Sequence, residues 1–552
     1  MGVLHMVTRK FPALALLLVL ALGGCATSSN KTASREENRV LLIVLDGLRP
    51  DYVTPERMPN LHALGERGVV AENHHAVFPT VTRVNATTFA TGVYPDKHGV
   101  VDNAMYLPDI EPKGALSTGD YKNLHRIEAA TGGNLVQVPS IGEILRANGK
   151  KMLVVSSGST GSCFLLNHKV DKEGTFESAQ GGIIHHGYTY PAGESERVLK
   201  ALGEPAPDGA PNTGRNRRAV DAYIRFGLDE IQPDVTYMWL SDPDHTAHEY
   251  GIGAPETWES IRQVDAEIGR ILQAHEERGL TDKVNIFVSS DHGFTTHAGD
   301  KGWKVRDALI DRGMNRGTKF GRNPTAVHVQ GGMIFLEDPS QTNLARTAIA
   351  LQRHADVFTF LTRTSAEDSN ASVLQGTLPL SVLNYEHPRS PDVVALPDWD
   401  DRENEHGFSG YTSQGGTAGH GSLSKFDVHN TLIATGPHIK DALRSAVPTG
   451  NMDFAPTILG LLRIESPEHM DGRVLEELLI GGPNPEAMIV TRDTVTANFD
   501  HATVEGQHWR AESMIYRSTV RGHTYIDYLL GGLFVPYRFG YDARPILFVP
   551  GR

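Results

Sequence analysis

A carboxylate beside an imidazole at the end of an apolar run is suited to hold a metal ion, and this chain carries that combination repeatedly. Ser289-Ser290-Asp291-His292-Gly293 follows the apolar residues 284–288. Asp46 closes the run 40–45, Asp244 and His248 follow the run 235–240, and His420 stands between Gly419 and Gly421. Carboxylate oxygen and imidazole nitrogen are donors that zinc and other first-row divalent ions accept. Asp244 and His248, four apart, share a face if their turn is helical. Asp242 and His245 compete for the same role, or orient a ligand by hydrogen bond. Asp291 and His292 diverge on a strand, yet both reach one ion at a strand-to-loop exit, where Gly293 permits the turn. Glycines on both sides of His420 give its imidazole room at a crowded centre. Plainer readings stand beside these: Asp46 as a loop cap, Asp242 or Asp244 as a helix cap.

Phe78-Pro79-Thr80-Val81-Thr82 offers a nucleophile. A hydroxyl is weak at neutral pH and needs a base or a metal ion to sharpen it. Thr82 precedes a helix expected over residues 85–90, whose amino end is electropositive and favours an oxyanion. Thr80, Thr87, Thr88 and Thr91 leave the choice of hydroxyl open on composition alone. Asn103, in Asp102-Asn103-Ala104, is either a turn residue or an amide donor to a phosphoryl oxygen. Cys163, in a Ser- and Gly-rich stretch without a neighbouring base, reads as a buried structural thiol.

These residues need a scaffold that brings strand ends together. Residues 39–45 form a nearly unbroken apolar run, the pattern of a parallel strand buried on both faces. Strands are expected again near 151–155, 234–240 and 284–288, and helices over 59–66, 141–148, 216–226 and 256–278. The alternation predicts an α/β fold, with a mostly parallel central sheet flanked by helices on both faces. Ligands gather at the carboxyl ends of such strands. The core that carries these residues is expected over 39–297 and 416–483, interrupted by an inserted cap region at 298–415 and followed by a β-rich extension at 484–552. Phe320, Phe358, Phe360 and Tyr385 of the insertion are expected to pack its interior rather than stack on a ligand.

Arg9 and Lys10 precede an apolar run at 11–22, too short for an ordinary membrane span and right for a signal peptide. Leu22-Gly23-Gly24-Cys25 follows, with residues 26–38 as a polar tether. The formal net charge is −14 and the chain has no block of Lys or Arg. Nucleic-acid polymers are therefore poor substrates for it, whereas a small phosphate ester neutralised locally by cations is admissible.

Val44-Leu45-Asp46-Gly47, Phe78 to Thr82, Thr91-Gly92-Val93-Tyr94-Pro95, Asp244 with His248, Asp291-His292-Gly293 and Gly419-His420-Gly421 together resemble the alkaline phosphatase superfamily. The nearest branch is the nucleotide pyrophosphatase/phosphodiesterase-like one. The resemblance implies two zinc ions, one on Asp244, His248 and His420, the other on Asp46, Asp291, His292 and Thr82. It implies Thr82 as nucleophile through a covalent phospho-threonine, and Asn103 as a contact to a phosphoryl oxygen. Leu22 to Cys25 resembles the lipobox of bacterial lipoproteins, which implies lipidation at Cys25 and an outer-membrane anchor facing the periplasm. Two departures matter, one of them Ala247, where the family commonly has glycine before the ligand histidine. The family's Thr-Phe-Pro-Asn is Thr82-Arg83-Val84-Asn85 here, and Arg83 either faces the substrate or pairs outward. Charge at Arg83 favours a monoester, while the absence of Lys and Arg from residues 156–162 favours a diester or phosphonate ester. A non-catalytic envelope-binding protein is the remaining alternative, and the sequence sets no oligomeric state.

Overall fold

The computed structural model describes residues 38–552 apart from 113, 301, 303, 312–325, 353–356, 503–507 and 535–552. Cys25 and the signal-like segment, as well as Phe320 and the side chain of Phe358, lie outside what is described. At the centre is a nine-stranded sheet in the order Leu443–Ser445, Val69–Ala71, Leu432–Thr435, Val284–Ser289, Arg39–Leu45, Val235–Leu240, Met152–Ser156, Gly181–His185, Tyr188–Tyr190. The Arg39–Leu45 strand pairs in parallel with Val284–Ser289 on one side and Val235–Leu240 on the other. Antiparallel pairing is confined to Leu432–Thr435, against both its neighbours, and to the outermost pair at the opposite edge.

The alternation of a buried strand explains the layers. Val40, Leu42 and Val44 enter one apolar core with Ala86, Phe89, Ile141, Leu145, Phe454 and Ile458. Leu41, Ile43 and Leu45 enter a second core with Leu61, Leu64, Val220, Ile261, Val264 and Ile268. Opposite faces of one strand thus bury against different helices, Thr82–Thr91, Ile141–Ala147 and Phe454–Leu461 on one side, Pro59–Arg67, Thr213–Ala222 and Pro255–Glu277 on the other. Each fully buried Leu or Ile contributes about 1.5–3 kcal/mol. The expected helix over 216–226 is longer than its pattern suggested, continuing through Tyr223–Ile231 in a wider π winding.

The region expected as an insertion holds a five-stranded sheet with the helices Val305–Asp311 and Gln341–Gln352, and its own core around Ile334, Leu344, Leu351 and Phe360. Phe360 and Tyr385 are buried, as packing residues. A separate four-stranded sheet joins Thr295–Gly299 to Ser409–Thr412 and Gly416–Gly419, so the chain leaving His292 and the chain arriving at His420 are neighbours. The C-terminal strands Val490–Ala502, His508–Val520 and His523–Phe534 form an antiparallel sheet. It is bonded to the body through Leu529 N–H to Leu423 O, and its Leu529 carbonyl accepts from Trp399 Nε1. Among the described residues no helix is long and apolar enough to cross a membrane.

Candidate metal centre

Three adjacent central strands end at one place. Asp46 follows Leu45, the helix Asp244–Tyr250 follows Val235–Leu240 after a short turn, and Asp291 and His292 follow Ser289. The Asp244 N–H donates to Asp46 O at 2.9 Å and ties two of these ends together. Gly47 has φ +69°, and a Cβ there would lie 3.0 Å from Asp244 Cβ, so glycine is required. Gly419 packs against the His297 ring, where a Cβ would come 2.6 Å from Cε1.

Asp244, His248 and His420 converge into one group of donors, and Asp46, Asp291 and His292 into another. In the first, Asp244 Oδ1 lies 3.3 Å from His248 Nε2 and 3.2 Å from His420 Nε2. In the second, His292 Nε2 lies 3.1 Å from Asp291 Oδ2 and 3.6 Å from Asp46 Oδ1. The groups are contiguous, with His292 Nε2 4.0 Å from Asp244 Oδ1. The helical spacing of Asp244 and His248 does place them together. The first group is open, its His248 side chain 44% exposed, while the His292 side chain is wholly buried.

The hydrogen bonds fix which donor atoms face one another. His248 Nδ1 faces Ala418 O at 3.1 Å, His420 Nδ1 faces Thr80 O at 2.7 Å and His292 Nδ1 faces Gly293 O at 2.9 Å. A carbonyl can only accept, so each Nδ1 carries the proton and each Nε2 presents a lone pair inward. The carboxylates are likewise half committed. Asp46 Oδ2 accepts from Trp239 Nε1 at 2.9 Å, and Asp291 Oδ1 from Gly47 N–H at 3.1 Å. Asp46 Oδ1, Asp291 Oδ2 and Asp244 Oδ1 are buried and accept no hydrogen bond. Burial, then the Asp291 and Asp244 charges, push the Asp46 carboxyl well above the usual carboxylate range. Three buried carboxylates facing three imidazole lone pairs is costly without a cation and apt with one. The donor set fits divalent metal ions.

Thr82 is the first residue of the helix Thr82–Thr91, and its Oγ1 stands 3.5 Å from His292 Nε2. The other hydroxyls of the segment are engaged elsewhere: Thr80 donates to Ser422 O, Thr87 to Arg83 O, Thr88 to Val93 O and Thr91 to Thr87 O. Geometry thus separates Thr82 from its rivals. Asn103 Oδ1 accepts from Arg83 N–H at 3.0 Å, which leaves its amide N–H groups as donors beside the same helix end. Arg83 makes no ion pair among the described residues. Its Nε is buried without a partner, and its guanidinium lies over Gly119 with its charge felt at Asp46. Asp242 is held by Thr246, Asn212 and Asn216, and His245 turns toward Asp208, so neither joins the donor groups. Cys163 is buried, and burial pushes its thiol up to about 12. The inserted sheet reaches the Asn103 loop, with Gln330 Nε2 donating to Asp102 Oδ2 at 2.8 Å.

Two contributors carry no local sequence signal: Trp239, inside an apolar run, and His297, half-buried beside His248 and His420 and lowered to about 4 by burial of its ring. His297 also lines a cleft of about 660 Å³ with Tyr250, Asn404 and Tyr411. A larger cavity of about 750 Å³, around His275 and Gly436, lies at the opposite, amino end of the parallel strands and holds none of the donors.

An α/β sheet with paired His/Asp groups at its central strand ends places the chain in the alkaline phosphatase superfamily of hydrolases. The type I phosphodiesterase / nucleotide pyrophosphatase family model matches residues 40–402, and the chain belongs to that family. It is 27% identical over 298 residues to human ectonucleotide pyrophosphatase/phosphodiesterase family member 7, covering 52% of this chain and 54% of that protein. It is 26% identical over 273 residues to the venom phosphodiesterase CdcPDE of Crotalus durissus collilineatus, covering 49% of this chain and 28% of that protein. The chain spans about half the length of the first of these curated relatives and less of the second. The fold of murine ectonucleotide pyrophosphatase/phosphodiesterase 5 superposes with a TM-score of 0.56 at 17% identity, covering 80% of this chain and 100% of that one.

Proposed function

We propose that the chain hydrolyses small organic phosphodiesters, with Thr82 Oγ1 as nucleophile. The observation that carries this reading is the placement of the Thr82 hydroxyl against Nε2 of His292, beside carboxylate oxygens that have no other partner. Two divalent cations, zinc by the donor set, held by Asp244, His248 and His420 and by Asp46, Asp291 and His292, would supply Lewis-acid charge to the attacking and leaving oxygens when bound. Thr82 Oγ1 passes its proton to solvent water and bonds to phosphorus, and the P–O bond to the leaving alkoxide breaks, the alkoxide taking a proton from water. A water molecule then attacks the phospho-threonine, its P–O bond to Thr82 breaks, and the hydroxyl is restored. The Asn103 amide and the Thr82 N–H, which has no acceptor within its own helix, hold the non-bridging oxygens. His420, His248 and His292 are locked in one tautomer by their backbone carbonyls, so no reorientation precedes the step.

The names of the relatives, a pyrophosphatase/phosphodiesterase and a venom phosphodiesterase, support diesters over monoesters. A nucleotide-type diester is the substrate class they favour. The second reading, a phosphomonoesterase or phosphonate hydrolase, rests on the unpaired guanidinium of Arg83, which suits a second negative charge. Turnover of bis-p-nitrophenyl phosphate and p-nitrophenyl phosphate by the zinc-loaded chain separates the two. Diester preference supports the proposal, and monoester preference overturns it in favour of the Arg83 reading. We also read Cys25 as a lipidation site anchoring the chain in a bacterial envelope. Palmitate labelling that survives Cys25→Ala contradicts that reading.

A further inference from the structure

A third group of metal donors lies outside the catalytic centre. His75 is on the short strand His74–His75, His429 is its direct antiparallel partner, and Asp527 comes from the last strand of the C-terminal sheet. One donor atom from each falls within 4.8 Å of the other two. His75 and Asp527 are buried, while His429 is half-buried at the edge.

The local bonding repeats that of the catalytic triads. His75 Nδ1 faces a backbone carbonyl, Thr449 O, at 2.8 Å, as His248, His292 and His420 each do. His75 Nε2 faces Asp527 Oδ1 at 2.9 Å, so both ring nitrogens look at acceptors. The other carboxylate oxygen, Asp527 Oδ2, is tied by Ser518 Oγ at 2.7 Å, as Asp46 is tied by Trp239. The His429 ring lies 4.7 Å from that of His75, and no hydrogen bond to it is found among the described residues. Asp527 reaches this place through a break in register. Tyr516 pairs with Tyr528 and Arg517 with Ile526, which leaves Asp527 as the extra residue of a β-bulge. Bulges re-aim side chains, and this one turns a carboxylate from an antiparallel sheet into the core.

We infer that His75, His429 and Asp527 bind a divalent transition-metal ion, zinc by the donor set, that staples the C-terminal sheet to the hydrolase body. Two imidazoles and a carboxylate are a zinc donor set, and the half-exposed edge at His429 leaves the fourth position to water. The ion bridges three segments that meet only in the folded chain, so its binding free energy adds to folding. This inference does not depend on the proposed reaction.

The test is the zinc content of the full chain after gel filtration, measured by inductively coupled plasma mass spectrometry. Three equivalents are expected in the unsubstituted chain and two in His429→Ala, with diester turnover unchanged and the Tm lowered. Equal zinc content in both overturns the inference. If His429→Ala fails to fold, the unsubstituted chain decides: three equivalents support the site and two overturn it. A His248→Ala/His292→Ala chain separates this claim from the catalytic one. It should keep one equivalent that His429→Ala then removes, and a chain with none would overturn the third site while leaving the catalytic assignment standing.

Discussion

The strand-end donors and the His75–His429–Asp527 group are built with the same local devices but differ in what their carboxylates do. At the strand ends, Asp46, Asp244 and Asp291 each leave one buried oxygen with no hydrogen-bond partner. In the peripheral group the single carboxylate is satisfied on both oxygens, by His75 and Ser518. The first arrangement is costly without cations and depends on them to exist as drawn. The second is held by its own hydrogen bonds and gains from a cation without requiring one. The difference teaches that metal dependence tracks the number of orphaned carboxylate oxygens more than the number of histidines.

That contrast sets a descending series of effects. Stripping metal with a chelator should drive diester turnover to background, and restoring zinc should recover it. Turnover that survives exhaustive chelation breaks the comparison at once. Thr82→Ala should lower kcat by roughly 10³-fold or more while the zinc content stays near that of the parent, because the ligands that remain outnumber the one lost. Trp239→Phe frees the second oxygen of Asp46 and should weaken zinc binding by about 10–100-fold, read by titration against a competing chelator. An unchanged affinity would make Trp239 a packing residue only.

A smaller effect appears in the metal-free chain. Burial, then Asp291 and Asp244, raise Asp46, while Asp291 raises His292 against the opposing effect of burial. A group raised in the folded state holds its proton more firmly there than when unfolded. Its contribution is present at low pH and is lost as pH rises through the raised value. The unfolding free energy of the metal-free chain should therefore fall as pH climbs above about 6.5, by up to about 1.4 kcal/mol per pH unit for each proton, seen as a falling Tm, and zinc loading should flatten the slope. A metal-free Tm that rises over that window contradicts the cluster described. Arg83→Ala completes the series, with diester turnover kept within about tenfold and the residual monoester rate reduced more. Equal loss on both substrates would mean that the guanidinium does not read the second negative charge of a monoester.

The same contrast explains what could be read from the chain. Asp46, Asp244, Asp291 and His292 follow apolar runs, and a parallel strand puts its next residues at the crevice, so they are legible as a group, whereas His420 stands among glycines. Which donors share an ion is not legible. That assignment came from family resemblance and then from distances. Thr82 could not be told from Thr80 by composition, and the separation appears only once Thr80 is seen donating to Ser422. Trp239 looked like core because it lies in an apolar strand, though a buried indole N–H needs an acceptor and could have been asked for one. His75 and Asp527 are 452 residues apart and meet through a bulge, which no local period records. The alternation of strands and helices gave the sheet, but the antiparallel entry of Leu432–Thr435 depends on the return of the chain from the inserted region.

The central claim is that phosphorus is transferred to Thr82 before water takes it. Hydrolysis of a single-isomer phosphorothioate diester by the zinc-loaded chain in oxygen-18 water tests it most directly. Two successive in-line displacements predict retention of configuration at phosphorus. Inversion would mean one direct attack by water, and Thr82 would not be the nucleophile.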